Sequence, residues 1–270
     1  MAIKLIALDL DGTLTNSRKE VTAHTKDILR QAAAKGAVVV LASGRPMLGI
    51  APIADFLELD KAGGIVMAYN GGHIVDWKTK EIINLVTFNR EYIPEALAFS
   101  HRYNIPILTY SETEILTEGP LTRWSHREET NCGKPITLVD DLVSYVDFPI
   151  VKLMFAGDPE ELKVPEREVA AYFDGRLDVY RAEPHFLELM PKGINKAAGI
   201  AMIADYLGVK PDEVMACGDA NNDIPMLEYA GLGVAVANAG DAAKAAAQFV
   251  TKSNDEDGVA YAVEKFVLNA

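Results

Sequence analysis

The stretch Leu8-Asp9-Leu10-Asp11-Gly12-Thr13 decides the fold, because it places two carboxylates directly after an apolar run. The preceding residues, Ile3–Leu8, are typical of a buried parallel strand. Side chains alternate along a strand, so Asp9 and Asp11 lie on the same side of it. The Gly-Thr pair that follows permits a sharp, hydroxyl-stabilised turn. The two acids are therefore expected at the carboxyl end of a strand, where open α/β sheets bind their ligands.

This pair of acids indicates both a cation and acid–base chemistry. Two carboxylates so close together repel each other, so we expect a cation between or beside them. One acid can then serve as a nucleophile and the other as a proton carrier. The alternative is a pair of ordinary polar residues at a strand end, and the apolar strand before the pair and the Gly-Thr turn after it count against that interpretation.

Composition limits the possible functions. The chain has 270 residues, of which 49% are hydrophobic and 24% charged, as expected for one large or two smaller soluble domains. The net charge of −13 argues against nucleic-acid binding and implies that an anionic substrate needs locally placed cations. The two cysteines, Cys132 and Cys217, lack metal-ligand spacing and are interpreted as free thiols in a reducing cytoplasm.

Targeting signals are not evident in the sequence. The apolar start is short, lacks a basic region and runs directly into Asp9, unlike a signal peptide. No uninterrupted apolar run approaches the length of a membrane span. We therefore expect a cytoplasmic protein with no membrane partner, present as a monomer or a weak homodimer.

Strand and helix patterns alternate at both ends of the chain, which predicts an α/β fold with a doubly wound, Rossmann-like parallel sheet. The first predicted elements are strands at Ile3–Leu8, Ala37–Ala42 and Gly64–Tyr69, with helices at 22–35 and Met47–Leu57. The alternation resumes near Phe186–Met190, continues with a helix at Ile194–Leu207, a strand at Val214–Cys217, a helix at Ile224–Tyr229 and a strand at Leu232–Val236, and ends with a helix at Gly258–Leu268.

The middle of the chain does not follow the regular alternation of strands and helices. A predicted hairpin at 73–88 leads into short strands mixed with helices, and this region contains both tryptophans. We interpret residues 84–188 as an inserted α+β domain, and residues 1–83 and 189–270 as the two parts of the core domain.

Three further segments follow a predicted strand or open a helix at the same edge of the sheet. Ser43, Gly44 and Arg45 can form a phosphate cradle of hydroxyl, backbone N–H groups and guanidinium, or simply cap a helix. Lys196 lies at the start of a predicted helix, an end at which the helix dipole favours anions rather than cations. A lysine at this position suggests that an anionic ligand binds nearby. Lys192 is the alternative candidate for binding that anion. Either lysine could also be an ordinary surface residue.

The fourth segment is Gly218-Asp219-Ala220-Asn221-Asn222-Asp223, which follows the predicted strand Val214–Cys217. Its two carboxylates suit a hard cation. Asp219 is expected as a direct ligand, and Asp223 as a ligand or as a group that orients a metal-bound water or another site residue. Asn222 can donate to a phosphate oxygen. The alternative is an Asp/Asn-rich turn that caps a helix.

These four segments resemble the motifs of the haloacid dehalogenase superfamily, specifically its Cof-type hydrolases with a large α/β cap, and most closely the YidA-like sugar phosphatases. The resemblance rests on Asp9–Thr13, Ser43–Pro46, Asn195-Lys196 and Gly218–Asp223, and it extends to Tyr69-Asn70-Gly71, Phe186-Leu187-Glu188 and the segment from Val250 to Ala260. Asn221 departs from the pattern, because an acidic residue is common there.

The resemblance implies a phosphatase of small phosphorylated metabolites that forms an aspartyl-phosphate. Asp9 would be the nucleophile, and Asp11 the acid and then the base. Mg²⁺ would be held by Asp9, the backbone carbonyl of Asp11 and Asp219, with Asp223 on the metal side. Oxygens of the phosphate would be held by Ser43, Gly44, Arg45, Lys196 and Asn222.

In this scheme the inserted domain selects the leaving group. Candidate contacts, each explained at least as well by a structural role, are Asn70, His185, Glu188, Arg123, His126 and Arg127. The alternative functions are a sugar phosphomutase of the phosphomannomutase type and a non-catalytic ligand-binding module. A non-catalytic module would be expected to have lost Asp9, Asp11 or Lys196, and all three are present.

Overall fold

The structure is a computed structural model that describes residues 2–269. It divides into two compact units. The first unit contains the chain up to Asn84 and again from Asn195 onward, and the second contains Leu85–Ile194. The chain therefore leaves the first unit once and returns to it once.

The elements before the insertion alternate as predicted. In chain order they are β1 (Leu5–Leu8), α1 (Ala23–Ala34), β2 (Val38–Ala42), α2 (Met47–Phe56), α3 (Leu59–Ala62), β3 (Ile65–Ala68), β4 (His73–Asp76) and β5 (Ile82–Leu85). Helix α1 begins where predicted because the Thr22 hydroxyl accepts a hydrogen bond from the backbone N–H of Thr25.

The second unit mixes short strands and helices. Its elements are α4 (Tyr92–Tyr103), β6 (Ile107–Tyr110), β7 (Ile115–Thr117), α5 (Arg123–Cys132), β8 (Ile136–Leu138), α6 (Leu142–Tyr145), β9 (Leu153–Ala156), α7 (Lys163–Tyr172), β10 (Leu177–Glu183) and β11 (Phe186–Pro191). They form a six-stranded sheet in the order β10-β11-β9-β6-β7-β8, in which only the β7–β8 pair is parallel.

The remaining elements complete the first unit. They are α8 (Lys196–Leu207), β12 (Val214–Gly218), α9 (Ile224–Tyr229), β13 (Leu232–Ala235), α10 (Asp241–Ala246), β14 (Phe249–Val250) and α11 (Gly258–Val263), which continues as a π-helical turn at Glu264–Leu268. The sheet has the order β14-β13-β12-β1-β2-β3-β4-β5, and its strands from β14 to β3 are parallel. The predicted fold class is confirmed.

Strand β1 lies at the centre of this sheet, and all four of its residues are buried. Leu8 is in register with Leu41 of β2 on one side and with Cys217 of β12 on the other. The loops that follow these three strands therefore begin at the same height. Because the strands are parallel, the residues just after them lie together at one edge of the sheet.

One boundary differs from the sequence prediction. The sequence prediction begins the second part of the core at residue 189, where the alternation resumes, but β11 pairs antiparallel with β9 and β10 in the second sheet. Residues 189–194 therefore belong to the second unit rather than to the core. The apolar run in β11 reflects burial in a sheet, and periodicity alone does not tell which sheet a strand joins.

The two ends of the first unit that flank the insertion meet at Gly71. The Asn84 side-chain amide donates a hydrogen bond to the Gly71 carbonyl oxygen. A Cβ atom at Gly71 would lie 3.3 Å from both the Asn195 carbonyl oxygen and the Gly199 Cα. Gly71 also has φ +109°, so a side chain there would be strained as well as crowded.

Both cysteines are buried, and neither forms a disulfide within residues 2–269. Burial raises the pKa of the Cys217 thiol to about 12. Among residues 2–269, no helix is long and apolar enough to cross a membrane.

Cys217 is therefore expected to resist thiol reagents in the native protein. Raising the pH from 7 to 9 ionises an exposed thiol with a pKa of about 8.5, but it leaves Cys217 protonated and buried. A colorimetric thiol titration of Cys132→Ala at pH 9 should detect no reactive thiol before denaturant is added and one per chain afterwards. Rapid labelling of this variant in its native state would contradict the assignment.

Candidate active site

The site is built at the carboxyl ends of β1, β2 and β12. The Asp9 backbone N–H donates to the Cys217 carbonyl oxygen, so the first acid continues the ladder between β1 and β12. Leu14 N–H returns to the Asp9 carbonyl oxygen and closes the turn. Ser43 N–H donates to the carbonyl oxygen of Met67 in β3. The segments that follow β1 and β2 are thus fixed by backbone hydrogen bonds to a neighbouring strand.

Lys196 is the central cation of the site. It is the first residue of α8, its side chain is fully buried, and its Nζ lies 2.5 Å from Asp9 Oδ1 and 2.6 Å from Asp223 Oδ1. Burial alone lowers the pKa of a lysine, but the charges of Asp223 and Asp9 outweigh that effect and raise the pKa of Lys196. Lys196 is therefore a permanent cation that joins segments distant in sequence.

The surroundings of Asp9 act on its pKa in opposite directions. Burial and the neighbouring charge of Asp223 raise the pKa of Asp9 to about 8, and the cation of Lys196 only partly offsets them. Burial, followed by the charge of Asp223, also raises the pKa of Asp219. The cluster therefore holds more acid than its single lysine neutralises, which favours binding of a further cation.

Asp223 already has partners on both oxygens. Its Oδ1 accepts from Lys196, and its Oδ2 accepts from the backbone N–H groups of Asp219 and Ala220, each at 3.0 Å. The side chain thus fixes both the lysine and the loop that carries Asp219. This geometry fits the orienting role that the sequence offers for Asp223 better than the role of a direct ligand.

Asp219 is placed by the turn after β1. Thr13 Oγ1 donates to Asp219 Oδ1 at 3.1 Å. A Cβ atom at Gly12, which has φ +80°, would lie only 2.6 Å from Asp219 Oδ2. A glycine is therefore required at position 12 both for its backbone conformation and for the space that the carboxylate occupies.

The carboxylates fit a divalent cation. One oxygen from each of Asp9, Asp219 and Asp223 lies within 4.8 Å of the others. Asp9 Oδ2 is buried and has no hydrogen-bond donor among the described residues. A buried carboxylate oxygen without a partner is costly, and a hard cation with oxygen ligands would satisfy it.

Asp11 lies outside this three-acid cluster and is bound by two cations. Arg45 donates from Nε to Oδ2 and from Nη2 to Oδ1, both at 2.6 Å, and Lys19 Nζ lies 2.5 Å from Oδ1. Burial raises the pKa of Asp11, but the hydrogen bonds and charges of Arg45 and Lys19 outweigh it and lower the pKa to about 2. Asp11 is therefore ionised in this structure.

The expected phosphate cradle is partly in place. Ser43 is buried, and its Oγ accepts from the backbone N–H of Arg45. A Cβ atom at Gly44 would lie 3.3 Å from the side-chain amide of Asn70, so the two loops touch. Asn70 N–H donates to the Ser43 carbonyl oxygen. The Arg45 guanidinium binds Asp11 here rather than extending into an open cradle.

Other predicted residues are placed differently. Asn222 is exposed in the turn before α9, and its side chain has no hydrogen bond in the described structure. Lys192 is exposed in the second unit, which leaves Lys196 as the lysine of the site. Within the second unit, Glu188 forms a buried ion pair with Lys152, and His185 stacks on Trp124. Of the other candidates there, Arg123 forms an ion pair with Asp158 and Arg127 with Glu183, and His126 Nδ1 is within hydrogen-bond distance of Glu129.

Sequence reasoning did not single out Lys19 or the contact of Thr13 with Asp219. A lysine in a run of exposed polar residues is usually solvated, so nothing local marks Lys19. Asn16 gives a weak signal, since asparagine favours turns held by its own side chain. Contacts of this kind depend on how distant loops meet, and no local spacing rule encodes them.

A family of hydrolases matches this chain over most of its length. The model of the haloacid dehalogenase-like hydrolases matches residues 6–263. The Streptococcus pyogenes protein named "Putative phosphatase M6_Spy0533" is 32% identical over 272 residues, covering 100% of both chains. YcsE of Bacillus subtilis, a 5-amino-6-(5-phospho-D-ribitylamino)uracil phosphatase, is 29% identical over 98% of this chain and 96% of its own.

Solved structures are similar over nearly the whole chain. A haloacid dehalogenase-like hydrolase from Bacteroides thetaiotaomicron is 39% identical with a TM-score of 0.95, covering 97% of this chain and 99% of that one. The HAD subclass IIB sugar phosphatase BT4131 is 26% identical with a TM-score of 0.79, covering 97% and 98% of the two chains.

This chain belongs to the haloacid dehalogenase-like hydrolases, because the family model matches almost its full length. The family that the sequence motifs resemble is thus confirmed. Its relatives and the phosphoryl-transfer structures among its neighbours also identify it as a phosphatase.

Replacing Lys196 tests the central cation. Lys196→Met should lower the free energy of unfolding at pH 8 by about 3 kcal/mol, because two buried carboxylates would lose their common partner. Urea unfolding measures the change. The control, Lys192→Met, removes an exposed lysine four residues earlier and should change stability by less than about 0.5 kcal/mol. Equal effects of the two substitutions would contradict the assigned role.

Proposed function

We propose that this protein is a Mg²⁺-dependent phosphatase of small phosphorylated metabolites, chiefly sugar phosphates, and that Asp9 is transiently phosphorylated. The observation that carries the proposal is the arrangement around Asp9. One of its oxygens contacts Lys196, and the other is buried without a donor beside Asp219. Such a carboxylate can attack phosphorus when a cation offsets its repulsion from the phosphate.

The proposed metal ligands are Asp9, Asp219 and the backbone carbonyl of Asp11, with Asp223 holding the loop that carries Asp219. When bound, Mg²⁺ supplies positive charge that offsets the repulsion between carboxylate and phosphate and stabilises the charge on the transferring group. The Gly12 turn and the Thr13 hydroxyl keep Asp219 in place for this role.

In the first proposed step, Asp9 attacks phosphorus while the bond from phosphorus to the ester oxygen breaks. Asp11 gives a proton to the departing oxygen, and Lys196, Ser43 and the Gly44 N–H hold the transferring oxygens. In the second step, water attacks phosphorus as Asp11 takes its proton, and the bond from phosphorus to Asp9 breaks. Inorganic phosphate and free Asp9 result, so atoms and charges balance over the cycle.

The two proposed steps require different protonation states of Asp11. Pairing with Arg45 and Lys19 favours the ionised form, which the second step requires. The first step needs a protonated Asp11, so these contacts must loosen when a substrate with a poor leaving group enters. Arg45 would then be released to contact the substrate phosphate, the role that its motif suggests.

Two relatives support the proposed substrate class. BT4131 is a sugar phosphatase, and YcsE acts on a phosphorylated ribityl compound. Both substrates are phosphate esters of polyhydroxylated carbon chains. A screen of sugar phosphates, sugar-alcohol phosphates, nucleotides, and flavin and pyridoxal phosphates, ranked by kcat/KM, tests this proposal; a clear preference for nucleotides would contradict it. We further propose a cytoplasmic location, because two buried thiols that form no disulfide within the described residues suit a reducing compartment.

The nucleophile is tested by Asp9→Asn. The amide keeps the shape of the side chain but is a much weaker nucleophile, so kcat should fall at least about a thousandfold while far-ultraviolet circular dichroism stays unchanged. Asp60→Asn, an equivalent change at an exposed position in α3, should keep full activity. Substantial hydrolysis by Asp9→Asn would refute the nucleophile assignment.

The metal site is tested by Gly12→Ala against Gly36→Ala. Both glycines have positive φ, but only at Gly12 does a Cβ meet a carboxylate, that of Asp219. Each substitution should cost roughly 1 kcal/mol through backbone strain, and Gly12→Ala should in addition raise the Mg²⁺ concentration for half-maximal activity about tenfold or more. Calorimetric titration with Mg²⁺ should show the same loss of affinity. Full activity of wild-type protein in excess chelator would exclude the metal role.

A further inference from the structure

Lys19 contacts an active-site acid from a loop that no motif covers. Its Nζ lies 2.5 Å from Asp11 Oδ1, the same oxygen that accepts from Arg45 Nη2. Among residues 2–269, Asp11 is the only acid with which Lys19 forms an ion pair. The lysine is otherwise about half exposed, so this contact alone fixes its ammonium group.

The backbone around Lys19 is held in an unfavourable conformation. Lys19 has φ +63°, in the left-handed region that non-glycine residues rarely adopt. The loop is kept there by Asn16, whose Oδ1 accepts from the backbone N–H groups of both Arg18 and Glu20. Lys19 N–H in turn donates to the Asn16 carbonyl oxygen. A strained residue persists only where its surroundings determine its conformation, which points from this geometry to a role.

The C-terminal segment supports this loop. Asp255 Oδ1 accepts from the backbone N–H of Ser17 at 2.8 Å, and the Asn254 side chain donates to the Thr15 carbonyl oxygen at 3.0 Å. Beyond the loop, Asp257 accepts from the Thr22 hydroxyl at 2.6 Å. Residues more than 230 positions apart in sequence thus combine to place one lysine.

We propose that Lys19 is a positioning residue for hydrolysis of phosphorylated Asp9, and that Asp255 holds the loop from which Lys19 acts. Lys19 fixes the Asp11 carboxylate in one orientation, from which Asp11 takes the proton of the attacking water. The inference rests on the proposed function, because it assigns a partner to the acid–base residue of that reaction.

The test separates the two steps with p-nitrophenyl phosphate in the presence of Mg²⁺. Nitrophenolate leaves without needing a proton, so kcat/KM reports attack by Asp9, and a fall in kcat alone reports slower hydrolysis of the phosphorylated enzyme. Lys19→Met should lower kcat about tenfold and keep kcat/KM within about twofold. Rapid mixing should then show a burst approaching one nitrophenol per enzyme molecule.

Matched variants complete the design. Arg18→Met removes the neighbouring cation, which pairs with Glu20 instead, and should leave both constants unchanged. Lys19→Arg keeps the cation and should restore kcat to within about threefold of wild type. Asp255→Ala keeps the lysine but releases its loop, and should lower kcat about threefold with kcat/KM retained.

The possible failures are distinguishable. A wild-type protein without activity on any phosphate ester, or an active Asp9→Asn variant, would overturn the proposed function itself. With both of those intact, an unchanged kcat in Lys19→Met, or equal losses in kcat and kcat/KM without a burst, would overturn the role of Lys19. An unchanged kcat in Asp255→Ala would overturn the supporting role of the C-terminal segment.

Discussion

The buried contact of Lys196 with Asp9 and Asp223 is the interaction on which the site depends. Burying a cation together with several acids is costly, and here that cost is offset only by close geometry and by backbone N–H groups that satisfy Asp223. The parallel sheet supplies the geometry, since β1 and β12 end in register and α8 begins beside them. The parallel sheet that forms the fold therefore also creates the close charge contacts on which the site depends.

The acids of this site fall into two groups, whose pKa values are shifted in opposite directions by their surroundings. Asp9 and Asp219 lie where burial and the charge of Asp223 raise their pKa values, so they favour a bound cation. Asp11, two residues from Asp9, is bound by Arg45 and Lys19 and is ionised in this structure. A cation bound beside Asp9 would lower the pKa of Asp9 and so favour the ionised form that a nucleophile needs.

Much of this could be predicted from the sequence, because local rules governed it. Apolar runs followed by Gly-containing turns located β1, β2 and β12, and the order of strands and helices predicted a parallel sheet with its acids at one edge. The sheet to which β11 belongs could not be predicted, because pairing partners are not encoded in the period of a strand. Lys19 was missed for a related reason. Its role arises from a strained loop and a distant C-terminal segment, and local propensity opposes the conformation it adopts.

The meeting of Asn84, Gly71 and Asn195 in the first unit has an evolutionary consequence. The two chain ends on either side of the insertion lie beside the same glycine, so they are close to each other within the first unit. The entropy of closing such a segment rises only slowly with its length. Domains of very different size could be exchanged at this junction over evolutionary time, and selection could diversify substrate choice without disturbing the chemistry.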